Sequence, residues 1–355
     1  MKISFFLKGE EFSTLGLRAQ HFAKKLNGKW ICPQGENWKG KWKFILTTIK
    51  SKNHIHYIID VVKLTTITLI ISKILGKKII IDTGDLVYEL AKLLGGRNFF
   101  SLFLIKYGEK LCLKLADIII VRGIYHQKLL KKKGFTNVYF LPDGVDLKII
   151  KPTQNPTLQQ KFNPQNYFTI GIIGTSIWSE KLQMCVGWEI VETIKLLQNL
   201  PIKGIIIGYG TGIEKLKKLT QKYHLQDKII FIPKIPYHQL PDYLSLINVT
   251  ISTQTNNPVG WVRTTSKLPL YLALNKYTLS TKVGTAYYLL PKEMLIPYQG
   301  IKDNTYPLKL AQKIKTLYKN PPSPNLLPLA HKYFSYHTLS HKLKTILTLH
   351  YPSLP

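Results

Sequence analysis

The chain has 355 residues, 45% apolar and 19% charged, a globular composition that excludes a disordered or fibrous protein. Its net charge of +31 favours phosphate-rich partners: nucleic acid, anionic lipid headgroups or nucleotide substrates. Cys32, Cys112 and Cys185 are far apart and odd in number, which argues against a disulfide framework or zinc site and suits a reducing cytosol.

Met1 and Lys2 lead straight into the apolar run ISFFL, which reads as a first strand and not as a secretory signal. After this strand, KGEEFSTLGLR (residues 8–18) runs into a helical pattern over 19–26. Thr14, Gly16 and Arg18 are candidates for a polar lip on an acceptor site, and the alternative is an N-cap in which Ser13 or Thr14 closes a helix. The apolar run 55–75 is interrupted by Asp60 and Lys63 and is rich in β-branched residues, so it reads as a strand followed by a buried helix, not as a membrane span.

Further strands are expected over 29–32, 78–82, 117–121 and 138–141. Continuous apolar runs such as Ile118-Ile119-Ile120-Val121 suit parallel strands covered on both faces. At the end of IIIDTGD (79–85), Asp85 is a candidate to orient an acceptor hydroxyl or act as a base, or else it caps a helix from Leu86. Over 99–116, Lys106, Lys110 and Lys114 recur every four residues on one helix face, with Phe103, Leu104 and Leu111 elsewhere. Such a basic helix can lie against an anionic membrane, or it is simply solvated.

Residues 142–166 hold Pro142, Pro152, Pro156 and Pro164 and read as a linker. Beyond it the alternation of strand and helix resumes, with strands over 169–173, 204–207, 228–232, 249–252 and 278–281. The expected architecture is α/β: two tandem Rossmann-like, doubly wound domains facing across a cleft. In such sheets ligands bind outside the carboxyl ends of the strands. IGIIGTSIWSEK (170–181) ends its strand at Gly174, with Thr175, Ser176 and Lys181 following. IIIGYGTG (205–212) places Gly208 and Gly210 after another strand, as a loop for a nucleotide base or ribose or as a structural turn, but does not complete a dinucleotide fingerprint, so no nicotinamide or flavin cofactor is expected. In 255–286, Arg263, Lys267 and Lys282 stand among Thr264, Thr265 and Ser266, a pattern that suits a phosphate group.

Together these stretches resemble glycosyltransferases of the GT-B fold, in particular the retaining enzymes of family 4. The resemblance runs through ADIIIVRG (116–123), LPDGVD (141–146), IIIGYGTGIEKL (205–216), KIIFIPKIPYHQLPDYLSLINVTIST (228–253), KLPLYLALNKYTLSTKVGTA (267–286) and FSYHTLSHKL (334–343). It implies an N-terminal acceptor domain (1–150), a nucleotide-sugar donor domain (151–330) and a C-terminal helix (331–355) crossing back to the first domain. It further implies transfer of a sugar from a nucleoside-diphosphate donor to a glycan or lipid-linked acceptor, with retention and without a metal. The widely spaced cysteines and the basic helix over 99–116 lead to the expectation of a cytoplasmic protein, peripheral on the inner face of the membrane.

The donor-binding candidates are then Gly174, Thr175, Ser176, Lys181, Gly208, Gly210, Thr264, Thr265 and Lys267, and the catalytic candidates Arg263 and Asp85. The chain departs from the family at several positions. Val262 and Leu270 fall where the family carries its two glutamates, and Ser176 where it carries a phosphate-binding arginine. Asp143 also replaces the usual asparagine, and the first-domain histidine has no match nearer than residues 83–85. Two other classes remain: a non-catalytic nucleotide-sugar-binding protein of this fold, and a basic nucleic-acid-binding protein.

Overall fold

The computed structural model describes residues 2–8, 13–33, 35 and 37–352. Residues 9–12, part of the stretch after the first strand, lie outside them. The chain begins with β1 (Ile3–Leu7), α1 (Thr14–Lys25), β2 (Lys29–Ile31), α2 (Trp38–Lys50), β3 (Ile55–Ile59) and α3 (Lys63–Ile74). There follow β4 (Lys78–Thr83), α4 (Val87–Leu94), α5 (Phe99–Leu115), β5 (Ile118–Val121), α6 (Ile124–Lys132) and β6 (Val138–Phe140). Helix starts are set by side chains that satisfy free backbone N–H groups. Ser13 accepts from Gly16 N, Asn37 from Gly40 N and Asn98 from Ser101 N. The start of α4 is closed from a distance: the Glu109 carboxylate accepts from Val87 N at 2.7 Å and Tyr88 N at 3.0 Å. Asp85 therefore is not that helix's cap.

The second half comprises α7 (Pro156–Phe162), β7 (Phe168–Thr175), α8 (Trp188–Leu196), β8 (Ile202–Tyr209), α9 (Ile213–Lys222), β9 (Ile229–Ile232), α10 (Leu240–Ser245) and β10 (Val249–Ser252). It continues with α11 (Pro258–Trp261), α12 (Lys267–Ala273), β11 (Tyr277–Thr281), α13 (Gly284–Leu289), β12 (Leu295–Ile296), α14 (Tyr306–Lys319), α15 (Leu327–Leu329) and α16 (Tyr336–His350). Helix α7 lies inside the stretch read as a linker. Pro156 occupies its first turn, where a missing N–H costs nothing, and Asn155 accepts from Leu158 N.

Two compact units result. One comprises Met1–Gly144, Trp261–Thr264 and Tyr333–Pro355, and the other Val145–Gly260 and Thr265–Lys332. The first contains a parallel sheet of order β2-β1-β3-β4-β5-β6, the second a parallel sheet of order β12-β11-β10-β7-β8-β9. Strand β1 shows why: all five of its residues are buried, so it needs cover on both faces.

In the first unit α1 and α16 cover one face, where Phe5, Tyr57, Ile120, Phe22 and Leu343 meet. On the other face α2, α3, α5 and α6 contribute Phe44, Leu69, Cys112 and Leu130 to a second core. Each such buried side chain stabilises the fold by roughly 1.5–3 kcal/mol relative to exposure. The helix α3 is not buried all round as its apolar sequence suggests: Ile67, Ile70 and Ile74 are exposed.

Candidate functional site

Strand order reverses between β7 and β10 in the second unit, and such a switch point leaves a crevice beyond the strand ends. Gly174 stands at the end of β7, and the segment after β10 leads through Thr265 to Lys267, the first residue of α12. Three bonds fix this geometry. The Tyr271 hydroxyl accepts from Ile173 N at 2.9 Å, tying α12 to the end of β7. The Thr265 and Ser252 hydroxyls lie 3.2 Å apart at the end of β10, and Leu268 N donates to Thr265 O at 3.1 Å. As a result Lys267 Nζ lies 3.5 Å from where a Cβ on Gly174 would stand. The structure thus brings Gly174 and Lys267 together, with Thr265 at the neighbouring strand end, and presents an ammonium beside a bare stretch of backbone.

The other expected donor residues divide by role. A Cβ on Gly208 would stand 1.9 Å from Gly174 O, and one on Gly210, at φ +129°, would stand 2.4 Å from Ser176 O. Gly208 lets the paired ends of β7 and β8 lie backbone against backbone, and Gly210 does the same for the loops that follow. Ser176 is itself committed to the loop: its N donates to Tyr209 O at 2.8 Å and its hydroxyl to Val186 O at 2.7 Å. Its buried side chain is not offered to a ligand. Thr175 and Lys181 are exposed.

Arg263 and Thr264 belong to the first unit, with Trp261 and Val262. The Trp261 ring lies 5.5 Å from that of Tyr125, and a Cβ on Gly123 would stand 1.9 Å from Val262 O. The Thr264 hydroxyl donates to Arg122 O at 2.5 Å, and Arg263 Nε donates to the Asp85 carboxylate. The two catalytic candidates are therefore an ion pair, each side chain about a third exposed. Val262 and Leu270, which stand where the resemblance expects glutamates, are buried apolar side chains.

The acceptor-side candidates fare differently. Thr14 is exposed in the first turn of α1, and Gly16 serves the Ser13 cap. Arg18, expected on the lip, is wholly buried. Its Nε donates to Asp82 at 2.6 Å, and its other nitrogens donate to Pro142 O at 2.5 Å and Leu141 O at 2.9 Å. Arg122 joins the same group, donating to Asp60 at 2.7 Å and Asp82 at 3.2 Å, with Asp143 at 3.7 Å. The Tyr57 hydroxyl donates to Asp82 at 2.6 Å.

Burial pushes Asp82 up, but Arg18, Arg122 and Tyr57 together hold it below the ordinary aspartate value. Burial wins at Asp60 and Asp143, which are raised despite Arg122. Asp143 also has one buried carboxylate oxygen without a hydrogen bond. Sequence reasoning missed this cluster, although a charged residue at or just past each of β3, β4, β5 and β6 was its visible sign. Among the described residues, no group of three or more histidine, cysteine, aspartate or glutamate side chains is placed to hold a metal ion.

Residues 189–264 match the family model described as Glycosyl transferases group 1. The whole chain is similar in fold to the Anabaena Alr3699/HepE structure in complex with UDP (TM-score 0.73, 14% identity, 98% of this chain and 100% of that one). It is similarly close to sucrose-phosphate synthase from Thermosynechococcus elongatus (TM-score 0.72, 14% identity, covering 99% and 100%). A glycosyltransferase from Rickettsia africae ESF-5 aligns at TM-score 0.71 and 14% identity, covering 99% of each chain. The chain has the GT-B fold, with glycosyl transferases group 1 sequence over residues 189–264. No curated protein sequence matches it. The matched segment starts on α8 and ends at Thr264, so it includes the β8 loop and closes just before Thr265 and Lys267.

Proposed function

We propose that this protein is a glycosyltransferase that moves a sugar from a nucleoside-diphosphate donor to a glycan or lipid-linked acceptor. The observation that carries the proposal is Lys267 Nζ beside Gly174 at the switch point of the second sheet, in a chain with group 1 sequence. UDP is the first nucleotide to test, because the HepE structures hold UDP or UDP-glucose.

As the glycosidic bond breaks, negative charge collects on the departing diphosphate. A fixed ammonium there stabilises the transition state more than the ground state, which is what accelerates the step. Lys267 is positioned for this by Tyr271, which ties α12 to the end of β7. The bare backbone at Gly174 admits the diphosphate close to the strand end. Retention of configuration, hexosyl specificity and independence from metal belong to the same proposal.

The test is a thermal-shift screen of the full chain against UDP-, GDP-, ADP- and TDP-sugars, followed by transfer assays with the donor that stabilises it. One nucleotide series should raise the melting temperature in a concentration-dependent way. No shift with any donor would overturn the proposal. Buried Val262 and Leu270, in place of the family's glutamates, favour a second reading as a donor-binding protein without turnover. Saturable donor binding with neither hydrolysis nor transfer to any acceptor would decide for it.

A further inference from the structure

In the first unit α2 packs beside α3 and α3 beside α5, so these helices form a continuous layer over one face of the sheet. A layer helix of a globular protein normally turns its apolar stripe inward and its polar residues outward. Here the outer surface is apolar as well. Along α2, Trp38, Trp42, Leu46 and Ile49 recur at helical spacing and are exposed, Trp38 by 70%. On α3 the same holds for Ile67, Ile70 and Ile74, the last 79% exposed. On α5 the stripe is Phe100, Phe103, Tyr107 and Leu111, beside Phe99 at 84% and Leu104. More than half of the exposed large hydrophobic side chains among the described residues stand on these three neighbouring helices, so they gather on one face of the unit.

Its charge identifies the occupant. Lys39, Lys41, Lys43 and Lys50 on α2, Lys63 and Lys73 on α3, and Lys106, Lys110 and Lys114 on α5 are all exposed. The single carboxylate on the three helices, Glu109, is spent on the N–H groups of Val87 and Tyr88. A second copy of this chain would set these lysines against their equivalents, in a protein already at +31. An anionic lipid surface meets both features, since apolar and aromatic side chains enter the headgroup boundary while lysines reach phosphates. No helix among the described residues is long and apolar enough to cross a membrane.

We propose that the α2–α3–α5 face docks on an anionic lipid bilayer, with Trp38, Trp42, Phe100 and Phe103 entering it and the lysines binding headgroups. The inference stands apart from the donor site, which is in the other unit. It is tested by co-sedimentation of the full chain with vesicles of phosphatidylcholine alone or with about 30 mol% phosphatidylglycerol, at about 0.15 M salt. Partitioning onto the anionic vesicles should be at least about tenfold stronger.

The Trp38→Ser/Trp42→Ser/Phe100→Ser/Phe103→Ser variant should lose at least about tenfold of it, as should Lys106→Gln/Lys110→Gln/Lys114→Gln. Both variants should keep the wild-type melting temperature and nucleotide-sugar response. Equal partitioning onto both vesicle types overturns the proposal, and so does wild-type binding by the serine variant, which would leave charge alone as the cause. A concentration-dependent dimer abolished by the serine substitutions, without any change in vesicle binding, would instead assign the face to a second copy.

Discussion

Arg263 Nε donates to the Asp85 carboxylate, so the arginine that follows Val262 is held by the loop after β4 of the first unit. Thr264 beside it is fixed to Arg122 O, whereas Thr265 and Lys267, a few residues on, belong to the second unit. A stretch that reads in sequence as one basic, hydroxylated loop is thus shared between two folding units.

Because this pair is partly exposed, it should matter little for stability. Arg263→Ala and Asp85→Ala should each cost no more than about 1 kcal/mol in urea unfolding, with overlapping effects in the double variant. Transfer activity is the separate readout: a loss of at least about tenfold with unchanged melting assigns Arg263 to the reaction. Normal turnover in Arg263→Ala would remove it from the site.

Lys267→Ala tests the donor site directly. Donor affinity by calorimetry should fall by at least about tenfold, since a charge-assisted contact to phosphate is lost. Lys267→Arg should keep part of the affinity, and neither change should lower the melting temperature by more than a few degrees. Tyr271→Phe leaves Ile173 N without its acceptor and should cost about 1–3 kcal/mol of stability. Unchanged donor affinity in Lys267→Ala would show that the diphosphate binds elsewhere.

The buried cluster of the first unit sets two guanidiniums, Arg18 and Arg122, against three carboxylates, Asp60, Asp82 and Asp143. Asp143 is the surplus acid, its value raised by burial in spite of Arg122 and Arg18. Folding favours its protonated form, so its ionisation costs stability as pH rises through the folded value. Asp143→Asn should therefore stabilise the protein at pH 8, since it removes the surplus buried charge. The gain should fade as pH drops towards the ordinary aspartate value near 4. Asp82 has the opposite sign: its value is lowered, and its contribution is lost as pH falls. Unfolding curves for wild type and Asp143→Asn across this range check both, and an equally destabilised variant at every pH would contradict the assignment.

Burial, reinforced by Lys77, pushes His56 down to about 4, and burial also takes His126 to about 4 against the pull of Asp85. The Ser72 hydroxyl donates to Thr68 O, so His56 Nδ1 must be the donor in its 2.7 Å bond to Ser72. His56 Nε2 is left buried and without a partner, as is His126 Nδ1. In the unfolded chain both rings protonate near 6.5. Between about 6.5 and 4 the unfolded state then binds more protons, so stability is full above that window and falls as pH drops through it. Calorimetric melting should show the decline from pH 7 to 5. A melting temperature constant over that interval would refute it.

Much of the architecture was legible because parallel strands buried on both faces leave continuous isoleucine runs, such as 118–121. Gly174 and Lys267, both singled out as strand-end candidates, do stand side by side in the second unit. Other strand-end residues were misread because a single sequence cannot tell an exposed polar group from a buried one. Arg18 and Ser176 looked available for ligands, yet one is sealed in an ion-pair cluster and the other bonds its own loop. Gly208 and Gly210 were open as either a turn or a ligand loop, and neighbouring backbone occupies the space their side chains would fill. The lysines of α5 were visible at their spacing, but not that Phe100, Phe103 and Leu111 are exposed as well.

The sequence by itself determined the alternation of strand and helix, the cationic character and the residue types at each strand end, since periodicity and composition are local properties. Only the tertiary structure decided partners: Arg263 with Asp85, Arg18 with Asp82, and Lys267 beside Gly174. Those pairings depend on strand order and helix packing, which bring together residues far apart in the chain. Spacing along one segment carries no record of what stands opposite it.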